Sequence, residues 1–261
     1  MQVVNQTLRA VNVTRYVTPL REGGSMPAIV ECDDGFLYAL KFKGAGQGKR
    51  ALIAELIGGE IARAIGLRVP ELVFATLDEA FGRMEGDEEI QDLLKASTGL
   101  NLALHYLSGA ISFDAAIHTV DTELASKIVL LDSLLLNVDR TARNTNMLWW
   151  HKELWLIDHG AALYFHHNWP TWQDKAALPF EQIKNHVLLK YATQVQQAVE
   201  LFKSTITPEV IERIVALVPD EFLQDERYFE NIEEHRHAYR QFITGRVQHL
   251  ETLVNTIAHV R

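Results

Sequence analysis

The chain has 261 residues, 48% of them hydrophobic and 23% charged, with 34 acidic against 25 basic side chains and a formal net charge of −9. That is an ordinary globular composition, long enough to bury a sizeable core. The acidic balance argues against nucleic acid as a direct partner, because binding a duplex by counterion release needs a basic face. Cys32 is the single cysteine, which excludes an intrachain disulfide and suits a reducing compartment.

The N-terminus, Met-Gln-Val-Val-Asn-Gln-Thr-Leu-Arg, has no charged region leading into an apolar core, so no signal peptide is expected. The best apolar run, residues 128–136, contains Asp132 and falls well short of the roughly 20 residues a membrane helix needs. The expectation is a cytoplasmic protein with no membrane partner, in which the sequons at Asn5 and Asn12 are chance matches.

In chain order, residues 1–45 read as β structure. Residues 11–17 carry β-branched side chains, and residues 28–32 and 36–42 flank Asp33-Asp34-Gly35, a hairpin turn. Ahead of that hairpin, Gly23, Gly24 and Ser25 form a turn whose backbone N–H groups could lie against a phosphate. In the strand that follows, alternate residues share a face, so Lys41 and Lys43 point together, opposite Leu40 and Phe42. A helix is predicted over residues 49–65, with apolar positions at helical spacing, a glycine cap at Gly66 and Pro70 beyond it. Glu55 and Glu60 are its interior acids.

Residues 69–77 read as a strand, and residues 78–92 as an acidic, turn-rich stretch with an exposed loop over 84–89 leading into a helix. Residues 102–107 read as a strand ending near Tyr106, the natural connection between a β-rich part and a helical remainder. From Asp114 the pattern is mostly helical: an apolar helix over 123–136, helices over 181–203 and 207–217, the latter with Thr207 as N-cap and Pro208 in the first turn, and a long amphipathic helix over 227–258 broken at Gly245. His166-His167 and His235-Arg236-His237 lack cysteine partners and metal-ligand spacing, so they are read as surface or packing residues. Trp149, Trp150 and Trp155 are read as core.

The stretch that carries chemistry runs from residue 130 to 160. The apolar helix gives way to a polar loop with Asp139 and Asn144, and two short apolar runs, 147–150 and 154–157, flank His151-Lys152-Glu153. That reads as a β-hairpin with a three-residue loop. Near-equal arms would return Asp158 to the neighbourhood of Asn144 and Asp139. Two carboxylates and an amide oxygen are hard ligands of the kind that hold Mg²⁺ together with substrate phosphates. In a protein-kinase-type site, an aspartate takes the acceptor proton, an asparagine five residues later holds one metal ion, and an aspartate after a hairpin holds the metals bridging the phosphates. A strand lysine such as Lys41 binds the nucleotide phosphates there, and a helical glutamate fixes it; Glu55 is preferred to Glu60 for that part.

Taken together, Gly23-Gly24-Ser25, Leu40-Lys41-Phe42, the Glu55 helix closing at Gly66-Leu67-Arg68-Val69-Pro70, Asn137-Val138-Asp139-Arg140 through Asn144, and Leu156-Ile157-Asp158-His159-Gly160 resemble the HipA-like kinases. The resemblance implies an α+β, two-lobed protein-kinase-like fold, with residues 1–107 as a nucleotide-binding β-rich lobe and 108–261 as a helical lobe. It implies ATP and Mg²⁺ as cofactors, Asp139 as catalytic base, and Asn144 and Asp158 as metal ligands. Lys41 would lie on the ATP phosphates with Glu55 as its partner, Gly23, Gly24 and Ser25 would form the glycine turn, and Tyr106 would lie at the adenine linker.

The expected activity is that of a serine/threonine kinase acting on a protein, with a small-molecule hydroxyl acceptor and a catalytically silent ATP-binding regulator as alternatives. The family includes toxins of toxin–antitoxin pairs, but an antitoxin partner does not follow from these residues. Ser25, beside the phosphates, is a candidate autophosphorylation site. The sequence departs from its relatives at Thr141, where a histidine is common, at Arg143 before Asn144, and at Asp158-His159-Gly160 in place of Asp-Phe-Gly.

Overall fold

The computed structural model describes residues 7–20, 26–224 and 226–261. The glycine turn Gly23, Gly24 and Ser25 lies outside the described residues. The chain forms two compact units, one of residues 1–52 and 70–108, the other of 53–69 and 109–261.

In the first unit, strands β1 (Ala10–Pro19), β2 (Ala28–Cys32), β3 (Leu37–Lys41), β4 (Leu72–Leu77) and β5 (Gly99–His105) close into a barrel in the order β1-β2-β3-β5-β4. β4 returns parallel to β1, while the other pairs are antiparallel. Closure leaves no open sheet edge. The period-2 pattern turns Val11 and Val13 of β1 and Tyr38 and Leu40 of β3 inward, where they meet Val30, Cys32, Val73, Ala75, Leu77 and Ala103. Leu94 joins them from α3 (Glu88–Ala96), which follows the short α2 (Ala80–Met84).

The stretch 78–92, read from sequence as acidic and turn-rich with a loop over 84–89 leading into a helix, has α2 before a loop of only three residues, 85–87, and α3 after it. Asp87 caps α3 by accepting from the N–H groups of Glu89 and Ile90, and Glu88 and Glu89 lie in its first turn. Acids placed there favour a helix start instead of opposing it.

The helix α1 (Lys49–Ala64) ends as its sequence predicts: Gly66, at φ +82°, lets its N–H reach the Arg63 carbonyl and that of Leu67 reach Ala62. In the second unit α4 (Thr122–Leu135) is buried from Ala125 to Leu135 apart from Lys127. It packs against α6 (Val195–Thr205), α9 (Ile232–Gln248) and α10 (Leu250–Val260), with α5 (Trp172–Lys175), α7 (Pro208–Ala216) and α8 (Asp220–Leu223) completing the described helices. Thr207 caps α7 through the Val210 N–H.

Four expectations are corrected here. The hairpin of β7 (Met147–Trp150) and β8 (Glu153–Leu156) has a two-residue turn, His151 and Lys152, both at positive φ; Glu153 pairs with Trp150, and β6 (Ile111–Ser112) adds a third strand. Positive φ at both turn residues matches the strand twist, which a longer loop would not need. The predicted helix over 181–203 splits into 3₁₀ turns at Glu181–Asn185 and Leu189–Tyr191 before α6, because residues 186–187 are drawn into pairing with 140–141.

The last long helix breaks at His249, not Gly245; the His249 N–H still bonds the Gly245 carbonyl, at 3.1 Å. Trp149, Trp150 and Trp155 are half-buried on the small sheet, whereas Trp169 and Trp172 are buried. His166 and His235 pack inside, the first 3.1 Å from the Tyr239 hydroxyl and the second stacked on Phe229 and Tyr239. Among the described residues no helix is long and apolar enough to cross a membrane.

Candidate active site

The loop that carries Asp139 begins where α4 stops. Leu136 adopts a left-handed conformation (φ +53°) and its N–H closes on the Asp132 and Ser133 carbonyls. A non-glycine residue there costs about 1–3 kcal/mol and persists only where its surroundings enforce it. The next residues form a tight polar knot. Asn137 donates its amide to Asp132 Oδ1 at 2.9 Å, and its own oxygen accepts the Asp139 N–H at 3.2 Å. The Thr141 N–H bonds the Asn144 carbonyl at 2.9 Å, closing the loop.

Asp139 and Asn144 are brought into direct contact: Asn144 Nδ2 donates to Asp139 Oδ2 at 2.7 Å, and Asn146 Nδ2 adds a second donor at 3.2 Å. A carboxylate only accepts, so the amide nitrogen of Asn144 must face it.

Beneath the loop lies a buried polar network. Asp132, Arg140 and His186 are each less than a tenth exposed. Arg140 Nε donates to Asp132 Oδ2 at 2.6 Å, and His186 Nε2 reaches the same oxygen at 2.8 Å. Burial pushes the Asp132 carboxyl upward, but the Arg140 guanidinium and the His186 contact outweigh it and hold the carboxyl well below the usual carboxylate range. Burial holds the His186 imidazole below its ordinary value despite Asp132. The Leu188 N–H donates to His186 Nδ1 at 3.0 Å. The ring is therefore neutral, with its proton on Nε2.

The second strand of the hairpin delivers Asp158 to the same neighbourhood through the backbone. The Ile157 N–H donates to the Asn146 carbonyl at 3.0 Å, and Arg140 Nη1 donates to the carbonyls of both Asn146 and Ile157. Asp158 itself is half-buried and left-handed (φ +55°), a conformation aspartate tolerates better than most residues. His159 is buried with Nδ1 3.7 Å from Glu55 Oε1, and Gly58 of α1 is so close that a Cβ there would sit 2.9 Å from that of His159. The Glu55 carboxylate thus faces the residue that stands in place of phenylalanine. Glu60 lies 3.7 Å from Arg63.

In the barrel unit Lys41 is half-buried at the end of β3, opposite Leu102. The Tyr106 ring is exposed, but its N–H donates to the Leu37 carbonyl at 2.8 Å. That amide is committed to the barrel.

Sequence reasoning passed over Asn137, Asn146, Asp132 and His186 as parts of the site. Asp132 left a signal, a charge inside an otherwise apolar helical run; His186 left none, because its partner is 54 residues away.

Among the described residues no group of three or more His, Cys, Asp and Glu side chains could by itself hold a metal ion. The residues that the resemblance assigns to a metal, Asn144 and Asp158, would offer hard oxygen only, one amide and one carboxylate. Such a set fits Mg²⁺, which keeps waters and completes its shell with substrate phosphate oxygens, and does not fit a soft transition metal.

With this geometry in hand, comparison with known proteins is informative. The sequence matches the model of the HipA-like kinase family over residues 13–249. No curated protein matches the chain. Its structure is similar to that of the Helicobacter pylori proinflammatory kinase CtkA, with 12% identity, 97% of this chain and 95% of that chain covered, and a TM-score of 0.53. A Golgi casein kinase with Mn/ADP bound aligns at 12% identity over 94% of this chain and 73% of that one, with a TM-score of 0.47.

Proposed function

The chain belongs to the HipA-like kinase family and is a phosphotransferase, and from that premise we propose that it transfers the γ-phosphoryl group of ATP, with Mg²⁺, to a serine or threonine hydroxyl of a protein. The observation that carries this reading is the 2.7 Å contact of Asn144 with Asp139 in a loop whose far end is bonded to the strand entering Asp158. In this reading Asp139 accepts the acceptor proton and orients the hydroxyl, Asn144 and Asp158 would hold the metal, and Lys41 would supply an ammonium for the nucleotide phosphates. When bound, Mg²⁺ would neutralise charge building on the phosphoryl oxygens; catalysis is then mainly positioning and electrostatics.

The test is phosphate transfer from γ-labelled ATP by the wild type and Asp139→Asn, with cell lysate as acceptor. Loss of a general base should lower turnover by about 10²–10⁴-fold. Equal signal from both proteins would remove the enzyme mechanism, and label found only in small molecules would replace the protein acceptor. Mass spectrometry of the same reaction reads Ser25 as an autophosphorylation site. A cytoplasmic location belongs to this proposal, supported by the lone buried thiol of Cys32. Growth arrest by the wild type but not by Asp139→Asn would support a toxin role.

A further inference from the structure

We propose that Arg140, braced by Asp132 and His186, is the positioning residue that locks the Asp139 loop to the Asp158 turn, and that His186 is a neutral strut needed for full turnover although it touches neither Asp139 nor Asp158. This rests on the phosphotransfer reading above.

The argument starts from one nitrogen. Arg140 Nη1 donates to the Asn146 carbonyl and, at 3.3 Å, to the Ile157 carbonyl. Asn146 holds Asp139 Oδ2 through its amide, and Ile157 immediately precedes Asp158. Any movement of that nitrogen therefore displaces the base and the metal-binding turn together. Its position is fixed from behind, because Nε of the same planar guanidinium is held by Asp132 Oδ2 at 2.6 Å.

That oxygen also takes the His186 Nε2–H at 2.8 Å, while Oδ1 takes the Asn137 amide at 2.9 Å. All of these groups are buried, so none can exchange a lost partner for water without cost. His186 in turn is registered by the main chain. It forms an antiparallel bridge with Thr141, and the Val187 N–H donates to the Arg140 carbonyl at 3.1 Å. The segment 186–187 thus grips residues 140–141 from both main chain and side chain.

Lysine at 140 would keep the charge but not the fork, since an ammonium cannot hold a carboxylate with one nitrogen and two carbonyls with another. Glutamine at 186 can present an amide N–H to Asp132 where the imidazole does; alanine cannot.

The experiment compares the wild type with Arg140→Lys, His186→Ala and His186→Gln in the full chain. Two readouts are used, amide hydrogen exchange of the protein alone and steady-state phosphotransfer. His186→Ala and Arg140→Lys should speed exchange at Thr141 and at Ile157 together, by roughly 10-fold or more, with the amides of α9 and α10 unchanged. Because misplacement of about 1 Å costs about 100-fold in rate, kcat should fall by roughly 10–100-fold while the KM for ATP moves less than about 3-fold. His186→Gln should recover most of both effects.

Unchanged exchange at Thr141 and Ile157, a glutamine variant no better than alanine, or full kcat in Arg140→Lys would each overturn the proposal. If Arg140→Lys lowers the melting temperature too far for assay, the glutamine and alanine pair at 186 decides. Failure of the phosphotransfer reading looks different: the wild type would transfer no phosphate while the coupled change in exchange still appeared.

Discussion

Replacing Arg246 with methionine tests how the helical unit terminates the helix that feeds the Asp139 loop. Arg246 is fully buried, and among the described residues its hydrogen-bond partners are all backbone carbonyls. Nη2 reaches the Ser133 carbonyl at 2.7 Å, Nε the Leu134 carbonyl at 3.2 Å, and Nη1 the Leu178 carbonyl, with Lys175 and Ala176 at 3.4 Å. Ser133 and Leu134 lie in the last turn of α4, where the negative end of the helix dipole and carbonyls only partly satisfied by the Leu136 N–H both favour a cation.

Burial drags the guanidinium down from its ordinary value to about 10, which corresponds to about 3 kcal/mol of cost at 1.36 kcal/mol for each pKa unit. Methionine would relieve that cost. It would also forfeit three good bonds from a charged donor, about 1.5–3 kcal/mol each, so the balance is a loss of about 4 kcal/mol. For a chain of this size the melting temperature should fall by about 8–16 °C, and urea unfolding followed by circular dichroism should show a matching shift in midpoint. A variant as stable as the wild type, or more stable, would refute the reasoning and show that desolvation outweighs the carbonyl contacts, as happens for some buried ion pairs.

The buried network predicts acid lability. Burial, helped by the charge of Arg140 and opposed by Asp132, holds His186 below its ordinary value, so the unfolded chain binds a proton more readily than the native one. The stabilisation is full above about pH 6.5 and falls as pH drops below it, by up to about 1.4 kcal/mol per pH unit. Asp132, also held low, adds the same sign below about pH 4. His186→Gln should show a shallower loss of stability between pH 6.5 and 5, and an unchanged slope would refute the assignment. Cys32 is buried inside the barrel, and burial followed by the charges of Asp34, Asp33 and Glu31 pushes its thiol up to about 12. Thiol reagents at neutral pH should therefore label it only as fast as the barrel opens; labelling at the rate of a free thiol would contradict this. Asp158→Asn should weaken ADP binding in the presence of Mg²⁺ at least 10-fold while leaving metal-free binding unchanged, as isothermal calorimetry would read, whereas Asp139→Asn should change neither.

How far the sequence carries depends on the range of the forces involved. β2 was legible to the residue because Asp33-Asp34-Gly35 dictates the turn beside it, and α1 because its apolar spacing and Gly66 fix both its course and its end. The pairing of Asp139 with Asn144 was legible as a spacing of five within one loop. The helix after the loop of 84–89 was expected, but α2 was not, and the acids read as solvated charge cap and open α3. The 3₁₀ turns of 181–191 were hidden because the force that breaks the helix is the pairing of His186 and Val187 with residues far earlier in the chain.

By itself, then, the sequence determined what neighbours along the chain can settle: the Asp33-Asp34-Gly35 turn, the apolar face of α1, its glycine cap and the order in which the polar residues of the loop and hairpin arrive. The tertiary structure alone decided that Arg140 reaches both Asn146 and Ile157, that Asp132 and His186 stand behind it, that Glu55 meets His159, and that Arg246 closes α4. The physical reason is that a buried polar group must find its partner wherever packing places one, and no local pattern records where that will be.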